Sequence, residues 1–402
     1  MNAASAIDTQ CTIDDDFLAR CAELKRELVQ YAKHNRFVRA FRAMTREYDE
    51  PQSLEDEFTA VNLIDRFALQ YTLHDGSTVV ERFVEQFSDK LTDDECSMLL
   101  GWQDVVEGVF EVEKHDDGGI VAVNLVDDLE YRIYSNMGRD VFDMPSEEWF
   151  LIGRVVPIRD AWMLSGILHT RPADDRDIMY HAAAKLAMDC PYAVFRNPEK
   201  RARAWQIQRD ERQLFIEFFG SDLVVVPASE LHDRMQEFMH YRTYEGRGAD
   251  GKTTAERVAG RRGGVPTPVE WPVPDPDDAE TIAAIYDQDE GPMFLLNFGH
   301  VEAVFAEPEL AAAPEHRDMV LGYLTDDTVS PLAFRRLAGR DVEAANRVFR
   351  TVLDRPDFDW FRDGEALMEA YKPDYFGADP APSVTVLSDR LAEAILAARS
   401  SD

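Results

Sequence analysis

Lysine is scarce in this chain: 8 of the 43 basic residues are Lys and 35 are Arg. Cysteine is scarcer. Cys11, Cys21, Cys96 and Cys190 are scattered, and none forms a CxxC pair. That spacing indicates neither a disulfide framework nor a thiolate zinc site. Apolar runs are short. Stretches such as Leu223–Val226 fall far below the roughly 18 residues that a membrane-crossing helix needs, so no membrane partner is expected. The start of the sequence reaches Asp14, Asp15 and Asp16 without a basic or an apolar leader region. No signal peptide is expected from it, and a cytoplasmic location follows as the expectation. Positive charge is also short, with 43 Lys and Arg against 77 Asp and Glu, a net charge of −34. A surface this acidic repels phosphate at long range, which argues against an extended nucleic-acid surface and against generic binding to anionic lipid.

What is present is a core-forming composition, 45% hydrophobic and 30% charged, long enough for two or three domains. Leu24, Leu28, Tyr31, Phe37, Phe41 and Met44 recur at helical spacing, which predicts one long helix over 17–48. Shorter helices are expected to residue 104, one opened by Thr92-Asp93-Asp94-Glu95, with acids where the helix dipole favours them. From residue 105 the period changes to two. Asp117-Gly118-Gly119 signals a hairpin, and about five short strands up to 172 predict a small barrel or rolled sheet. Residues 173–245 return to helix. Residues 246–278, rich in Gly and Pro, read as a linker. In 279–402, Thr281–Tyr286 and Pro292–Phe305 read as strands, followed by a helical bundle. The expected class is α+β: predominantly helical, with a small β-barrel-like module and a C-terminal short sheet plus helical bundle.

An aromatic-rich opening from Phe58 to Tyr71 meets an Asp75-Gly76 turn. Leu91-Thr92-x-x-Glu95, Val109-Phe110-Glu111-Val112 and Asn124-Leu125-Val126-Asp127 follow. Downstream stand Phe218-Phe219-Gly220-Ser221-Asp222 and Glu230-Leu231. This layout, over about 58–245, resembles uncharacterised prokaryotic proteins that often carry a SEC-C tail, a cysteine-rich zinc-binding motif. The chain has no cysteine after Cys190, so the resemblance implies neither zinc nor any site residue.

Residues 246–253, GRGADGKT, fit the P-loop pattern letter for letter. In a P-loop, glycines turn backbone N–H groups toward phosphate, Lys reaches the β and γ phosphates, and a hydroxyl holds magnesium. Gly251, Lys252 and Thr253 are therefore candidate phosphate-binding residues. The required context is a strand before and a helix after, but Leu231–Tyr244 reads as a helix, so a linker that matches by chance is the plainer reading. Residues 19–46 carry eight basic residues against Glu23 and Glu27, a local net of +6 that leaves −40 elsewhere. Arg36, Arg39, Arg42 and Arg46, three and four apart, fall on one helical face and are candidate partner-binding residues for a protein or a local polyanion. The plainer alternative is that they pair with carboxylates of their own chain. A second basic island, 246–264, has a net of +3.

Other constellations fall short of known sites. Glu237-x-x-His240 lacks the second copy a di-iron bundle needs. Asp357 to Glu365 lacks the EF-hand order. Cys190 with His181 and Asp189 is proximity in sequence only, and His300 reads as a turn residue. No metal and no cofactor is expected, and no catalytic residue is identified. The expected function is a non-enzymatic binding or adaptor protein using helix 19–46 and the barrel face. The alternatives are a nucleotide- or phosphate-binding enzyme at Gly251–Thr253 and a structural role without a ligand.

Overall fold

The computed structural model describes residues 13–47, 57–116, 118–142, 149–262, 271–275, 277, 279–377 and 379–399. The chain divides into two units: residues 1–200 with 385–402, and residues 201–384. The boundary falls inside the 173–245 segment that the sequence pattern grouped together.

Unit 1 opens with helices α1 (Asp15–Ala32), α2 (Val38–Glu47), α3 (Glu57–Leu69), α4 (Val79–Phe87) and α5 (Asp93–Gly101). Local chemistry starts two of them. Thr78 with Glu81, and Thr92 with Glu95, form reciprocal capping boxes at the starts of α4 and α5. The single helix expected over 17–48 is broken. His34 is extended and its ring accepts the Arg36 N–H, so a short 3₁₀ turn, Asn35–Phe37, separates α1 from α2. Leu24, Leu28, Phe37, Met44, Phe67 and Phe83 bury into a common helical core.

Strands β1 (Val106–Asp116), β2 (Gly119–Asn124), β3 (Glu130–Tyr134), β4 (Trp149–Ile158) and β5 (Ala161–Pro172) follow. They close a five-stranded barrel in the order β1-β2-β3-β5-β4. All pairs are antiparallel except β3 with β5, which meet only at Ile133–Trp162 and Tyr134–Met163. Phe110, Ile120, Tyr131, Ile133, Leu151 and Val155 belong to one buried cluster of the barrel. The resemblance's Asn124–Asp127 stretch ends β2 at Asn124 and turns over residues 125–127. The Asp127 carboxylate accepts from Tyr131 Oη at 2.6 Å, the Leu129 N–H at 2.9 Å and Asn124 Nδ2 at 3.2 Å.

A charged cluster ties the helices to the barrel. Asp65 on α3 accepts from Lys25 Nζ of α1 at 2.7 Å, from Arg154 Nε of β4 at 3.1 Å and from Ser165 Oγ of β5 at 2.8 Å. All four residues are buried. Burial pushes the Asp65 carboxyl up, and Lys25 and Arg154 more than reverse it, so it sits below the usual carboxylate range. Next to this cluster Gly166 adopts φ +75°, and a Cβ there would run into the Asn62 amide of α3. The glycine lets the Ile167 N–H reach Asn62 Oδ1 at 3.0 Å.

Helices α6 (Arg176–Asp189) and α7 (Pro191–Val194) lead into α8 (Pro198–Phe219). Unit 2 adds β6 (Leu223–Pro227), α9 (Ala228–Tyr244), α10 (Thr254–Arg262), β7 (Thr281–Tyr286) and β8 (Pro292–Leu296). Helices α11 (Phe298–Ala306), α12 (Pro314–Thr325), α13 (Leu332–Arg340), α14 (Val342–Val352) and α15 (Trp360–Tyr371) complete it. The antiparallel sheet has the order β6-β7-β8, so β7 is central. Its alternate residues serve two cores. Ile282, Ala284 and Tyr286 pack with Phe215 of α8 and with Leu231 and Phe238 of α9, while Ala283 and Ile285 pack with Phe298, Phe334 and Phe349. The strand expected over Pro292–Phe305 stops at Leu296. Asn297 turns left-handed, with φ 55°, and a helix follows. Part of the expected linker is helical, since α10 is held on α9 by Thr254 Oγ1 donating to the Arg242 carbonyl at 3.2 Å. Residues 263–270 of that segment lie outside the described residues. The last helix, α16 (Asp389–Arg399), belongs to unit 1, where Leu391 is buried with Met179 and Ala183 of α6. The architecture is α+β as expected, with a closed small barrel and a separate three-stranded sheet.

Candidate functional site

The break after α1 decides where the candidate arginines stand. Arg36 lies in the 3₁₀ turn and leaves the face predicted for it. Its guanidinium stacks over Tyr31 at 4.3 Å and Phe37 at 4.7 Å and donates to Gln86 Oε1 at 3.0 Å. It locks the turn rather than offering itself to a partner. Arg39, Arg42 and Arg46 remain on α2, spaced three and four apart, and all three are exposed. Among the described residues no carboxylate pairs with them. Several other cations of unit 1 do pair with carboxylates: Arg20 with Glu95, Lys25 with Asp65, Arg66 with Glu107, Arg82 with Asp75 and Arg154 with Asp65. The self-pairing alternative thus finds no carboxylate for α2 among the described residues, and 48–56, with four more acids, lie outside them.

The inward face of α2 is apolar. Met44 is fully buried, and Phe41 packs edge-on against Phe67 of α3 at 5.3 Å. Between α2 and α3 runs a cleft of about 390 Å³, floored by Phe37, Phe41, Val61 and Ile64, with Val38 at its edge and Lys33 and Arg42 on its rim. Val61 and Ile64 are half-buried and Val38 is 37% exposed, so apolar surface stays in contact with water. The cleft is thus an apolar trough bordered by unpaired positive charge. Sequence reading found the arginines but missed the α3 wall, which only the tertiary pairing of α2 with α3 supplies.

The GRGADGKT segment is placed differently from a P-loop. It follows the helix α9, not a strand. Gly251 adopts φ +72° and closes a turn in which its N–H donates to the Gly248 carbonyl at 2.8 Å. The Lys252 N–H donates to Asp250 Oδ1 at 3.0 Å. Thr253 and Glu256 cap α10 reciprocally, with the Thr253 N–H donating to Glu256 Oε2 at 2.9 Å and the Glu256 N–H to Thr253 Oγ1 at 3.1 Å. An internal carboxylate thus stands where a phosphate would bind.

The remaining constellations have structural partners. His240 Nδ1 lies 3.6 Å from Glu245, and Glu237 pairs with Arg234 at 2.8 Å. Asp359 caps α15, and Asp363 accepts the Asp359 N–H at 3.0 Å and pairs with Arg362 at 2.7 Å. His181 donates to the Asp177 carbonyl, Asp189 pairs with Lys185, and neither joins Cys190 in a triad. His300 lies 3.2 Å from Glu280. No group of three or more His, Cys, Asp or Glu among the described residues is arranged to hold a metal ion. No helix among them is long and apolar enough to cross a membrane. Compared with known families, curated proteins and solved structures, the chain matches none.

Proposed function

We propose that this chain is a non-enzymatic binding protein that docks an acidic amphipathic segment of a partner protein along α2. The observation that carries this reading is the trio Arg39, Arg42 and Arg46, exposed beside the Phe41–Val61 trough and without a carboxylate partner among the described residues, in a chain of net charge −34. Positive charge concentrated on one helix face favours an acidic ligand there. The trough supplies the second requirement. An amphipathic helix laid between α2 and α3 would place apolar anchors at i, i+3 or i+4, and i+7 in the groove, with acidic flanks on the arginines. A nucleic acid would use the arginines but not the trough, and it would face the −40 carried outside residues 19–46. The cytoplasm is the proposed compartment, consistent with free Cys21, Cys96 and Cys190. Kinship with the SEC-C-associated proteins is proposed on the layout over 58–245 alone.

The test is fluorescence anisotropy with a dye-labelled amphipathic peptide that carries Leu on one helical face and Glu on its flanks. Saturable binding that weakens as salt rises is expected. Reversing Arg39, Arg42 and Arg46 to Glu weakens it at least about tenfold, from rim pairs of about 0.2–1 kcal/mol each plus the new repulsion. Val61→Asp in the half-buried groove wall weakens it without removing an arginine. Tighter binding of a single-stranded RNA than of the peptide, or equal binding by the reversed variant, overturns the reading.

A further inference from the structure

A second cavity, of about 430 Å³, lies wholly within unit 1 and belongs to no part of the α2 site. Its wall gathers residues from the end of α3, the start of β1 and the corner between α6 and α7. Two ion pairs dominate it. Arg66 Nη2 lies 2.9 Å from Glu107 Oε2, and Arg196 grips both oxygens of Asp104 at 2.5 and 3.0 Å. The two cations and two carboxylates cancel, so the wall is formally neutral yet strongly polar. At the cavity edge Tyr192 is 70% exposed, and the Cys190 thiol beside it is part-exposed.

A lone anion gains little from such a wall, because each guanidinium already holds a carboxylate and the chain's net charge opposes its approach. A lone cation meets the mirror-image problem, because each carboxylate already holds a guanidinium. A molecule that carries both charges a few ångströms apart can enter both pairs at once. Its carboxylate displaces Asp104 from Arg196, its ammonium displaces Arg66 from Glu107, and the two groups released carry opposite charges, so the wall stays neutral. The cavity is of the size that encloses small molecules, and an exposed aromatic ring at its edge offers a face for an ammonium group or an apolar side chain. We propose that this cavity binds a small zwitterion of the α-amino acid class, its carboxylate on Arg196, its ammonium on Glu107 and its side chain against Tyr192.

The test is calorimetric titration of the full chain with each standard amino acid, with acetate and methylammonium as single-charge controls. Alkylation of Cys190 by iodoacetamide, read by peptide mass spectrometry, gives an independent readout of occupancy. At least one amino acid is expected to bind saturably and slow Cys190 alkylation, and neither control does so. Arg196→Gln and Glu107→Gln each weaken it about tenfold or more, the loss of one charge-assisted hydrogen bond. Tyr192→Ala alters an exposed ring that folding does not need, so it weakens binding in a protein with an unchanged circular dichroism spectrum. The proposal is overturned if no amino acid binds, if acetate binds as tightly as the best amino acid, or if Tyr192→Ala and Glu107→Gln both leave affinity unchanged.

Discussion

Asp65→Asn is expected to cost unit 1 about 3–5 kcal/mol, the range for removing one partner of a buried ion pair. The carboxylate sits between Lys25 and Arg154, and all three side chains are at most 7% exposed. An amide keeps the shape and some hydrogen bonds but leaves two buried cations with Glu107, 3.3 Å from Arg154 Nη1, as the only other carboxylate on that pair among the described residues. With a urea m-value of about 2 kcal/mol/M, the loss moves the unit 1 midpoint down by about 1.5–2.5 M. The assay is urea unfolding followed by hydrogen exchange and mass spectrometry, which reads β4 and β5 peptides separately from those of unit 2. Replacing Lys25, Asp65 and Arg154 together by Met, Leu and Leu is expected to recover most of the loss, because no buried charge is then unmatched. The account of the cluster is refuted if Asp65→Asn shifts the midpoint by less than about 0.3 M, or if the triple replacement is worse than the single one.

Phe349→Ala removes a ring packed against Phe305, Phe334, Phe358 and Trp360; it is expected to cost about 3–5 kcal/mol, seen in unit 2 peptides and not in the barrel. In unit 2, burial pushes Asp222 and Asp287 up, but hydrogen bonds and the Arg336 charge, with Arg212 acting on Asp222, more than reverse it and hold both carboxyls low. Their folded pKa values thus lie below the unfolded value of about 3.9, so their contribution is complete above about pH 4 and is lost as pH falls through the depressed values. Arg336→Met is therefore expected to raise the acid midpoint of unit 2 unfolding in a pH titration. Because Glu256 already caps α10, neither ATP nor inorganic phosphate is expected to raise the melting temperature, and Lys252→Ala should leave that result unchanged. A rise that Lys252→Ala abolishes would reinstate phosphate binding at Gly251–Thr253.

Local chemistry was legible in the sequence. The acids after Thr92 do open a helix, through a capping box with Glu95. The period-two alternation from residue 105 does build a five-stranded barrel. What failed depended on partners far along the chain. Leu223–Val226 is a short apolar run, but nothing in it names Ile282–Ile285 as its partner strand. The helix break at His34 turns on one ring accepting one N–H, which periodicity cannot register. Lys25 adds to the +6 of residues 19–46, although Cys21, Leu24 and Leu28 put it on the buried stripe, where Asp65, Ser165 and the Trp102 ring make it tolerable. The candidate sites follow the same rule. Arg39, Arg42 and Arg46 could be read from spacing on one helix, whereas Arg66, Asp104, Glu107, Tyr192 and Arg196 carry no common pattern and meet only in the fold.

The central claim is that an acidic partner lies along α2, and its most direct test is a hydrogen-exchange footprint of the full chain with the Leu- and Glu-bearing amphipathic peptide at saturation. The account predicts slowed exchange confined to residues 33–47 and 60–64, and none of it in the variant with Arg39, Arg42 and Arg46 reversed to Glu. Saturated peptide that leaves these segments unprotected, or protects the barrel or unit 2 instead, contradicts it.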